Sequence, residues 1–486
     1  MTTPLADAAT RALELLRPDT LLDGLGGAAQ GTHAVVDPAR DAVVFEAPLA
    51  GGTLIDAAVG RAAAARQGWA ADPAVRAAAL TAMADAVAGA RSALAHLLAL
   101  ETGLPLAVAT DEISVGEFFL RRRAAYVAPV DTLVDDGRQR IEVARHPAGV
   151  VAAILPWNAP IMIACEKIGS AFAAGNTVVV KTSPLAPLAV LYLAQLVQPL
   201  VPDGVLQVLN GDDAAGRALV EHPGVGMVSF TGSIRAGRAI MAAAAPTLKR
   251  LSLELGGNDA AIVLADADLR KTAAKLFFGA FYRTGQVCAA IKRLYVPRAQ
   301  YDGWVDALGT LARQAVPGGQ FDPETTLGPI SNRAQFDRVQ ALVAASVAAG
   351  GVIASGGKAL DRAGFFFEPT IVRDAAADNP LVADEQFGPA LPVIAYDDEE
   401  EAIAAANGTQ FGLGGSIWTE DVERGLALAR RLEAGSAWVN RHGLVQPEVP
   451  FGGMKQSGIG RANGQAGMDA YAELQTLSVA LPRKAG

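Results

Sequence analysis

The spacing of apolar residues changes along the chain, from a helical period to an alternation of strands and helices. Two Ala-rich segments, at about 54–68 and 75–101, repeat apolar residues every 3.6 positions or so, which predicts two helices. Gly103 followed by Pro105 ends the second of them. Another helix is predicted from about residue 107 to residue 126. The first quarter of the chain is therefore predicted to be mainly helical.

Short apolar runs separated by helical stretches follow this region. The runs are Gly149–Leu155, Thr177–Val180, Val205–Leu209 and Met227–Phe230. Short buried strands that alternate with helices indicate a doubly wound parallel sheet. A similar alternation starts again after Gly256-Gly257. Its predicted elements are a strand at 260–264, a helix at 268–282, a strand at 293–296 and a helix at 298–315. We therefore expect a second α/β domain.

Two further segments alternate like exposed strands. Residues 131–146 contain a turn at Asp135-Asp136-Gly137, which predicts a hairpin, and residues 474–481 resemble a third strand. Strands that stand apart from the helical units suggest a protruding arm. An exposed edge of this kind usually pairs with another subunit.

Composition narrows the possible classes of protein. The chain has 486 residues, 51% of them hydrophobic and 19% charged, so it is globular and long enough for two or three domains. Its net charge of −9 argues against nucleic acid or an anionic membrane as the main partner. No segment has the length and polarity of a signal peptide or a membrane span, so a soluble cytoplasmic protein is expected. Two cysteines cannot form a disulfide framework, and the five histidines lack metal-ligand spacing, so no metal site is proposed.

The first candidate for chemistry is a carboxylate followed by a thiol. Glu254 precedes a Gly-Gly turn, and Cys288 follows in the sequence Gly-Gln-Val-Cys. The sequence neighbours of Cys288, Val287 and Ala289, cannot act as its base, so Glu254 is a candidate for that role. An inert buried cysteine is the commoner fate of a free thiol, and this stretch alone favours it.

Further candidates lie where predicted strands end. Asn158, within Pro-Trp-Asn-Ala-Pro, could donate its side-chain N–H to an oxyanion, although this stretch by itself favours a simple Asx turn. Lys181 suits a diphosphate or a ribose hydroxyl, or is a surface lysine. Phe230-Thr231-Gly232-Ser233, with Gly237, opens a helix whose N-terminus favours phosphate, or is a plain helix cap.

Two loops in the second half complete the set. Glu385-Gln-Phe387-Gly-Pro places an acid beside an aromatic ring, and could anchor a sugar and brace a flat ring, although the motif alone favours a loop with a buried Phe. A glycine-rich loop, Pro450-Phe-Gly-Gly-Met-Lys-Gln-Ser-Gly458, is of the sort that closes a pocket. Each of these motifs is weak by itself.

The motifs taken together, in this order from about residue 30 to the C-terminus, resemble the aldehyde dehydrogenase superfamily, whose members oxidise aldehydes to acids with NAD(P). The resemblance implies an α/β fold with a Rossmann-type cofactor domain, an α/β catalytic domain and a β oligomerisation arm. The implied limits are 1–127 and 147–255 for the dinucleotide-binding domain, 256–455 for the catalytic domain, and 128–146 and 456–486 for the arm and C-terminal segment.

The resemblance also assigns roles to residues. Cys288 matches the nucleophile, Glu254 the general base, and Asn158 with the backbone N–H of Cys288 the oxyanion hole. The cofactor-binding positions are Leu155, Trp157, Lys181, Ser183, Pro184, Gly211, Phe230, Thr231, Gly232, Ser233, Leu255, Gly256, Glu385 and Phe387. The presence of Glu254 favours hydrolysis of the thioester. The alternatives are a CoA-acylating relative and a non-catalytic binding protein on the same fold.

The sequence departs from the family pattern in two segments. The family often has Lys-Pro-Ser/Ala-Glu where this chain has Lys181-Thr-Ser-Pro184, so NAD is expected with less discrimination against NADP. Arg217 could attract the additional phosphate of NADP, or is a helix-surface arginine. Ala462 stands where Glu often follows Arg461, from which a lost local contact is expected.

The resemblance places the substrate pocket by position only. Its residues would be Ala159, Met162, Ile163, Glu166, Tyr282, Val287, Val445 and Phe451. We hypothesise that Glu166 borders the entrance and favours polar or cationic aldehydes, the alternative being a surface carboxylate. The expected partners are a small-molecule aldehyde and further copies of the chain, in a homodimer or homotetramer.

Overall fold

The apolar runs predicted as buried strands pair into two open sheets, and a smaller sheet extends beside them. A computed structural model describes residues 7–17 and 25–482. The parts of the predicted domain ranges at 1–6, 18–24 and 483–486 lie outside the described residues. The arrangement confirms the predicted α/β class.

The strands are listed here in chain order. They are β1 (Gly31–Asp37), β2 (Ala42–Leu49), β3 (Asp131–Asp135), β4 (Gln139–Pro147), β5 (Val150–Ile154), β6 (Thr177–Thr182), β7 (Leu206–Asn210), β8 (Met227–Thr231), β9 (Arg250–Glu254), β10 (Asp259–Val263), β11 (Ile291–Pro297), β12 (Val352–Ser355), β13 (Thr370–Arg373), β14 (Ala390–Tyr396), β15 (Gly414–Trp418), β16 (Ser436–Val439), β17 (Gly458–Ile459) and β18 (Ala472–Ala480).

The α-helices of the described residues cover the faces of these sheets. They are α1 (Asp7–Glu14), α2 (Gly52–Ala71), α3 (Pro73–Gly89), α4 (Arg91–Thr102), α5 (Leu106–Ala124), α6 (Pro160–Ala173), α7 (Leu188–Val197), α8 (Asp213–Glu221), α9 (Ile234–Ala244), α10 (Leu269–Phe281), α11 (Tyr301–Gln314), α12 (Arg333–Ala348), α13 (Pro380–Ala383), α14 (Glu399–Asn407), α15 (Val422–Ala429) and α16 (Gly464–Ala470).

The first sheet has the strand order β17-β9-β8-β5-β6-β7. All its neighbours run parallel except β17, which is antiparallel to β9. Side chains alternate between its two faces. On β5, for example, Val151 and Ala153 pack into one apolar core, and Val150, Ala152 and Ile154 pack into another. Because both faces are covered, the strand has no polar positions, which explains its continuous apolar sequence.

The second sheet has the order β12-β13-β14-β11-β10-β15-β16 and is parallel apart from the pair β12–β13. Its central strand, β11, is buried along its whole length. This sheet lies C-terminal to Gly256-Gly257, where the alternation of the sequence predicted a second α/β unit.

The arm is a separate antiparallel sheet with the order β18-β4-β3. Strand β18 pairs with β4 from Ala472 opposite Pro147 to Ala480 opposite Gln139. The predicted hairpin and the predicted C-terminal strand are therefore both present. A short hairpin of β1 and β2 makes a further two-stranded sheet near the N-terminus.

One predicted helix is wrong in its length. The segment at 75–101 forms two helices, α3 and α4, that meet at Ala90. Asp72 caps α3 by accepting N–H groups of its first turn, and Pro73 occupies the first helical position. Gly89 ends the helix, because glycine is a poor helix former. Apolar spacing continues through the break, since both helices face the same core, so spacing alone did not reveal it.

The two large sheets meet where β9 ends and β10 begins. Glu254 is the last residue of β9, and only four residues separate it from Asp259, the first residue of β10. The carbonyl of Glu254 accepts the N–H of Gly232, and Leu255 donates its N–H to the carbonyl of Ser457. Parallel sheets bind ligands at the carboxyl ends of their strands. At this junction, the edge of the first sheet that is formed by the carboxyl ends of its strands therefore lies against the second sheet.

Candidate active site

Cys288 lies in the loop between α10 and β11, shortly after a tight 3-10 turn. Arg283 and Thr284 in this turn have φ values of 55° and 59°, and Gly285 has a φ of 73°. A Cβ atom on Gly285 would collide with the carbonyl group of Gly388, so only glycine fits at this position. The strained turn packs the loop of the thiol against the loop that contains Gly388.

The Cys288 side chain is partly exposed and sits among charged groups. The pKa of the Cys288 thiol is raised to about 12, chiefly by burial and also by the nearby carboxylates of Asp259, Glu385 and Glu254. The ammonium group of Lys292 lowers it. The thiol therefore needs a base, or the charge of a bound ligand, before it can act as a nucleophile at neutral pH.

Glu254 is only 7% exposed, and neither of its carboxylate oxygens accepts a hydrogen bond from the described residues. A Cβ atom on Gly452 would lie 2.8 Å from its Oε1, so the glycine-rich loop passes directly over the carboxylate. Burial raises the pKa of Glu254 to about 8; Lys167 and Arg461 lower this pKa, and Glu166 raises it. A carboxylate that titrates near neutral pH is suited to general base catalysis.

A buried polar cluster lies behind Glu254. The Lys167 ammonium donates to the Ser229 hydroxyl at 2.9 Å, and that hydroxyl shares a 2.9 Å hydrogen bond with the Tyr471 hydroxyl. Lys167 is also 4.0 Å from a carboxylate oxygen of Glu166. Burial lowers the pKa of Lys167, whereas Glu166 and Glu254 raise it. The cluster therefore places a cation where it opposes the neutralisation of Glu254.

Glu166 lies inside the protein and not on its surface. Its side chain is buried and lies beside Lys167, and one of its oxygens is 3.4 Å from the donating hydroxyl of Ser170. Helix α6 directs Glu166 into the protein, where it belongs to the charged cluster behind Glu254. This burial argues against the surface carboxylate that was the alternative. Its place at the entrance of the substrate pocket stays a prediction.

Asn158 lies beside the loop of Cys288. Its side-chain N–H₂ donates to the carbonyl of Gln286 at 2.9 Å. Arg283 donates to the backbone carbonyl of Asn158 and to the buried carboxylate of Glu112. The same carboxylate accepts N–H groups from the first turn of α6. Arg283 and Glu112 were missed in the sequence; the signal was a glutamate on the apolar face of a helix, which requires a buried partner.

Glu385 lies against the Gly256-Gly257 turn. Its Oε1 accepts the N–H of Gly257 at 3.1 Å, and a Cβ atom on Gly256 would collide with its other oxygen. The ring of Phe387 meets the ring of Trp157 edge to face, with centroids 5.4 Å apart. The structure thus brings Glu385, Phe387 and Trp157, which the sequence predicted for one cofactor site, to the same side of the junction.

Lys292 is a polar residue of this site that the sequence reasoning missed. Its ammonium donates to the carbonyls of Val287 and Cys288 at 2.7 and 2.6 Å and lies 3.4 Å from the Glu385 carboxylate. The side chain is 2% exposed. A lysine within an apolar strand, four residues after the thiol, was the available signal, since a buried lysine needs a partner.

The remaining predicted cofactor residues follow the ends of neighbouring strands in the first sheet. Leu155 and Trp157 follow β5; Lys181 lies in β6, with Ser183 and Pro184 after it; Gly211 follows β7; Phe230 and Thr231 end β8, with Gly232 and Ser233 after it; Leu255 and Gly256 follow β9. These positions share one edge of the sheet, because adjacent parallel strands end together. Ser233 caps α9 by accepting the N–H of Ala236, so its hydroxyl is partly engaged.

Lys181 is buried, and its charge is balanced locally. Burial lowers the pKa of Lys181 to about 8, whereas the carboxylates of Asp213 and Asp212 raise it. Lys181 is the next-to-last residue of β6, so the strand extends slightly further than the sequence predicted. Lys181 lies at the edge of the sheet where ligands bind, and its side chain can donate to a polar group of a ligand.

The proposed substrate-pocket residues come from separate elements. Ala159 is buried at the start of α6, where Met162 and Ile163 are half-buried, and Tyr282, Val287, Val445 and Phe451 are also half-buried. Phe451 and Ala462 exchange two backbone hydrogen bonds of 2.7 Å. These residues stay a prediction for the pocket.

Within residues 7–17 and 25–482, no group of three or more His, Cys, Asp or Glu side chains could hold a metal ion. In the same part of the chain, no helix combines the length and apolarity that a bilayer crossing requires.

Comparisons with known proteins agree with the resemblance seen in the sequence. The profile of the aldehyde dehydrogenase family matches residues 27–477. An aldehyde dehydrogenase of a Fusarium species is 36% identical over 459 residues, which are 93% of this chain and 97% of that protein. The NAD+ complex of a Bacillus cereus aldehyde dehydrogenase has a TM-score of 0.90 at 34% identity, covering 96% of this chain and 99% of the other. An NADP-dependent enzyme of E. coli has a TM-score of 0.90 at 35% identity, and the match covers 93% of this chain and 95% of that enzyme.

The surroundings of Cys288 and Cys165 predict how these two thiols react with an alkylating reagent. Iodoacetamide should alkylate Cys288 slowly at pH 7, and the rate should rise by about tenfold per pH unit up to pH 9, because the thiolate is the reactive form and the pKa of Cys288 is raised. Cys165, which is buried, should not react. Peptide mass spectrometry would measure both rates. A Cys288 rate that levels off below pH 9 would contradict the account.

Proposed function

The chain belongs to the aldehyde dehydrogenase family, and we propose that it oxidises an aldehyde to a carboxylic acid through a thioester on Cys288 that water hydrolyses. The observation that carries the proposal is the meeting of Cys288, Glu254 and Asn158 at the junction of the two sheets. An aldehyde panel with NAD and with NADP, followed by NAD(P)H absorbance, tests it. Failure of every aldehyde with both cofactors would contradict it.

The donors at the edge of the first sheet support NAD or NADP as the hydride acceptor. Ser233 begins helix α9, whose N-terminal N–H groups suit a diphosphate. Lys181 and the carboxylate of Glu385 suit ribose hydroxyls. Phe387, with φ of 48°, holds its ring beside Trp157, where a flat ring would pack. When bound, the nicotinamide supplies the acceptor for the hydride that leaves the aldehyde carbon.

The first chemical step uses the thiol and its neighbours. The Cys288 sulfur attacks the aldehyde carbon as its proton leaves to Glu254 or to water, and a thiohemiacetal forms. Its oxyanion is stabilised by the amide of Asn158 and by the backbone N–H of Cys288. The Asn158 amide donates to the Gln286 carbonyl in this structure, so it has to exchange that bond for the oxyanion.

Loss of hydride then leaves a thioester on Cys288, and Glu254 completes the reaction. Its carboxylate takes a proton from water, the resulting hydroxide attacks the acyl carbon, and the thiolate leaves. Release of the carboxylic acid restores Cys288. Lys167 supports this step because its charge lowers the pKa of Glu254 and so favours the basic form.

We propose that the enzyme prefers NAD and also accepts NADP. Pro184 supplies no carboxylate that would repel a 2′-phosphate. Arg217, the candidate for attracting that phosphate, is 75% exposed and pairs with Glu221 at 2.8 Å, which agrees with a helix-surface role. Steady-state KM values for the two cofactors would decide, and a KM for NADP below that for NAD would contradict the preference.

Two alternatives have distinct outcomes. A CoA-acylating enzyme would form product only when CoA is present, whereas the buried, base-like Glu254 predicts free acid without CoA. A binding protein on the same fold would give no NAD(P)H with any aldehyde. The combination of Glu254 and Cys288 favours the hydrolytic enzyme over both.

Replacing Asn158 should affect turnover much more than cofactor binding. Asn158→Ala should lower kcat by about 10²–10³, because one oxyanion donor is lost. Asn158→Asp, which keeps the size but has no N–H to donate, should be similarly impaired. The kcat and the cofactor Kd would be measured for both variants. Equal losses in the two quantities would contradict the oxyanion role.

Glu254 should control the pH dependence of thioester hydrolysis. Burial raises its pKa to about 8, so the basic form, and with it the hydrolysis rate, should increase as pH rises through 8 and be lost below it. Glu254→Gln should abolish this limb and leave a single burst of NAD(P)H followed by very slow turnover. Stopped-flow kinetics from pH 6 to 9 measure both effects. Undiminished steady-state turnover in the variant would rule out the role.

The exposed arm supports a homodimer or homotetramer. Its edge strand β18 presents the apolar side chains of Leu474, Leu477 and Val479, which are 57%, 41% and 50% exposed in the single chain. Light scattering should give two or four times the mass of the chain. Introducing Glu at Leu477 and Val479 should reduce that mass, since charges would replace the apolar contact. A monomeric wild-type protein would contradict the proposal.

A further inference from the structure

We propose that Lys292 is a positioning residue that keeps Glu385 in the form that accepts ribose hydroxyls, while its other donors fix the loop of Cys288. The inference rests on the proposed function, from which Glu385 takes its role in binding the ribose. It adds a residue that connects the cofactor-binding carboxylate to the nucleophile.

Lys292 makes two hydrogen bonds and one ion pair. Its ammonium donates to the carbonyls of Val287 and Cys288, at 2.7 and 2.6 Å, and lies 3.4 Å from the Glu385 carboxylate. The ammonium also lies 5.7 Å from the centroid of the Phe387 ring. One side chain thus contacts both the thiol loop and the Glu385–Phe387 segment.

The charge of Lys292 has a use beyond its hydrogen bonds. A neutral donor would satisfy the two carbonyls without the cost of burying an ammonium that is 2% exposed. The nearby carboxylate explains the cation, because burial raises the pKa of Glu385 and Lys292 lowers it. The titratable and charged groups that face Glu385 are therefore Lys292, the repelling carboxylate of Asp259 and the thiol of Cys288, and the N–H of Gly257 is a further donor.

Ionisation of Glu385 matters for recognition of a ribose. An ionised carboxylate only accepts hydrogen bonds, so each of its oxygens can bind a hydroxyl. A protonated carboxyl presents a donor on one oxygen and loses one such acceptor. The Gly256-Gly257 turn holds the carboxylate in place, since any side chain at Gly256 would displace it. The position of the Glu385 carboxylate thus depends on the two glycines, and its ionisation depends on Lys292.

The test compares Lys292→Gln, Glu385→Gln and the double variant in equilibrium binding of NAD and NADP by calorimetry from pH 6 to 9. Gln at 292 keeps N–H donors for the carbonyls and removes the charge. At pH 6.5 we expect Lys292→Gln to bind about tenfold more weakly than wild type, a difference of one decade in Kd. The gap should close as pH rises and Glu385 ionises. Lys271→Gln, at an exposed lysine outside the site, is the matched control.

The other variants complete the cycle. Glu385→Gln should weaken binding equally at all pH values, and adding Lys292→Gln to it should cause no further loss. Losses that add in the double variant, or a Lys292→Gln profile that matches wild type, would overturn the proposal. A general structural defect would not produce weakening that disappears at high pH.

A second measurement needs no cofactor and remains valid if a Lys292 variant folds poorly. Because Glu385 raises the pKa of Cys288 and Lys292 lowers it, Glu385→Gln should speed alkylation of Cys288 and Lys292→Gln should slow it. Unchanged alkylation in Glu385→Gln would overturn the electrostatic connection. Wild-type protein that binds neither NAD nor NADP would contradict the proposed function instead, while this measurement would still test the Lys292–Glu385 pair.

Discussion

The site depends on balancing negative charge that the fold withdraws from water. Burial raises the pKa of Cys288 most, and Asp259, Glu385 and Glu254 also raise it. Carboxylates crowded around a thiol would by themselves keep both the nucleophile and the base protonated. Two buried lysines oppose this: Lys167 acts on Glu254, and Lys292 acts on Cys288 and Glu385. These two cations therefore favour the ionised forms of the thiol and of the carboxylates.

The two-sheet architecture determines where these charges meet. The first sheet ends its parallel strands along one edge, and β9 delivers Glu254 to that edge. The turn at Gly256-Gly257 then leads at once into the second sheet, whose strand β11 positions Lys292 behind the thiol loop. Because glycine lacks a side chain, Glu385 can lie directly on the turn. Glu385 thus lies on the short turn that follows Glu254.

Much of this could be predicted from the sequence, for physical reasons. Buried parallel strands have continuous apolar runs, so the fold could be predicted, and chemistry at strand ends leaves motifs such as those of Asn158 and Glu254, so candidate site residues could be proposed. Contacts between distant segments could not be predicted. Glu166 could be placed on a helix but not oriented, and Lys292 could be read as buried but not paired with Glu385, because side-chain partners depend on packing between elements.

The most direct test of the account is to identify the covalent species formed during turnover. Enzyme mixed with an aldehyde and NAD, quenched in acid within the first turnover and digested, should yield a peptide whose Cys288 carries the acyl group. An acyl group absent from Cys288 but present on another residue, or a Cys288→Ser variant that keeps wild-type turnover, would contradict the central claim.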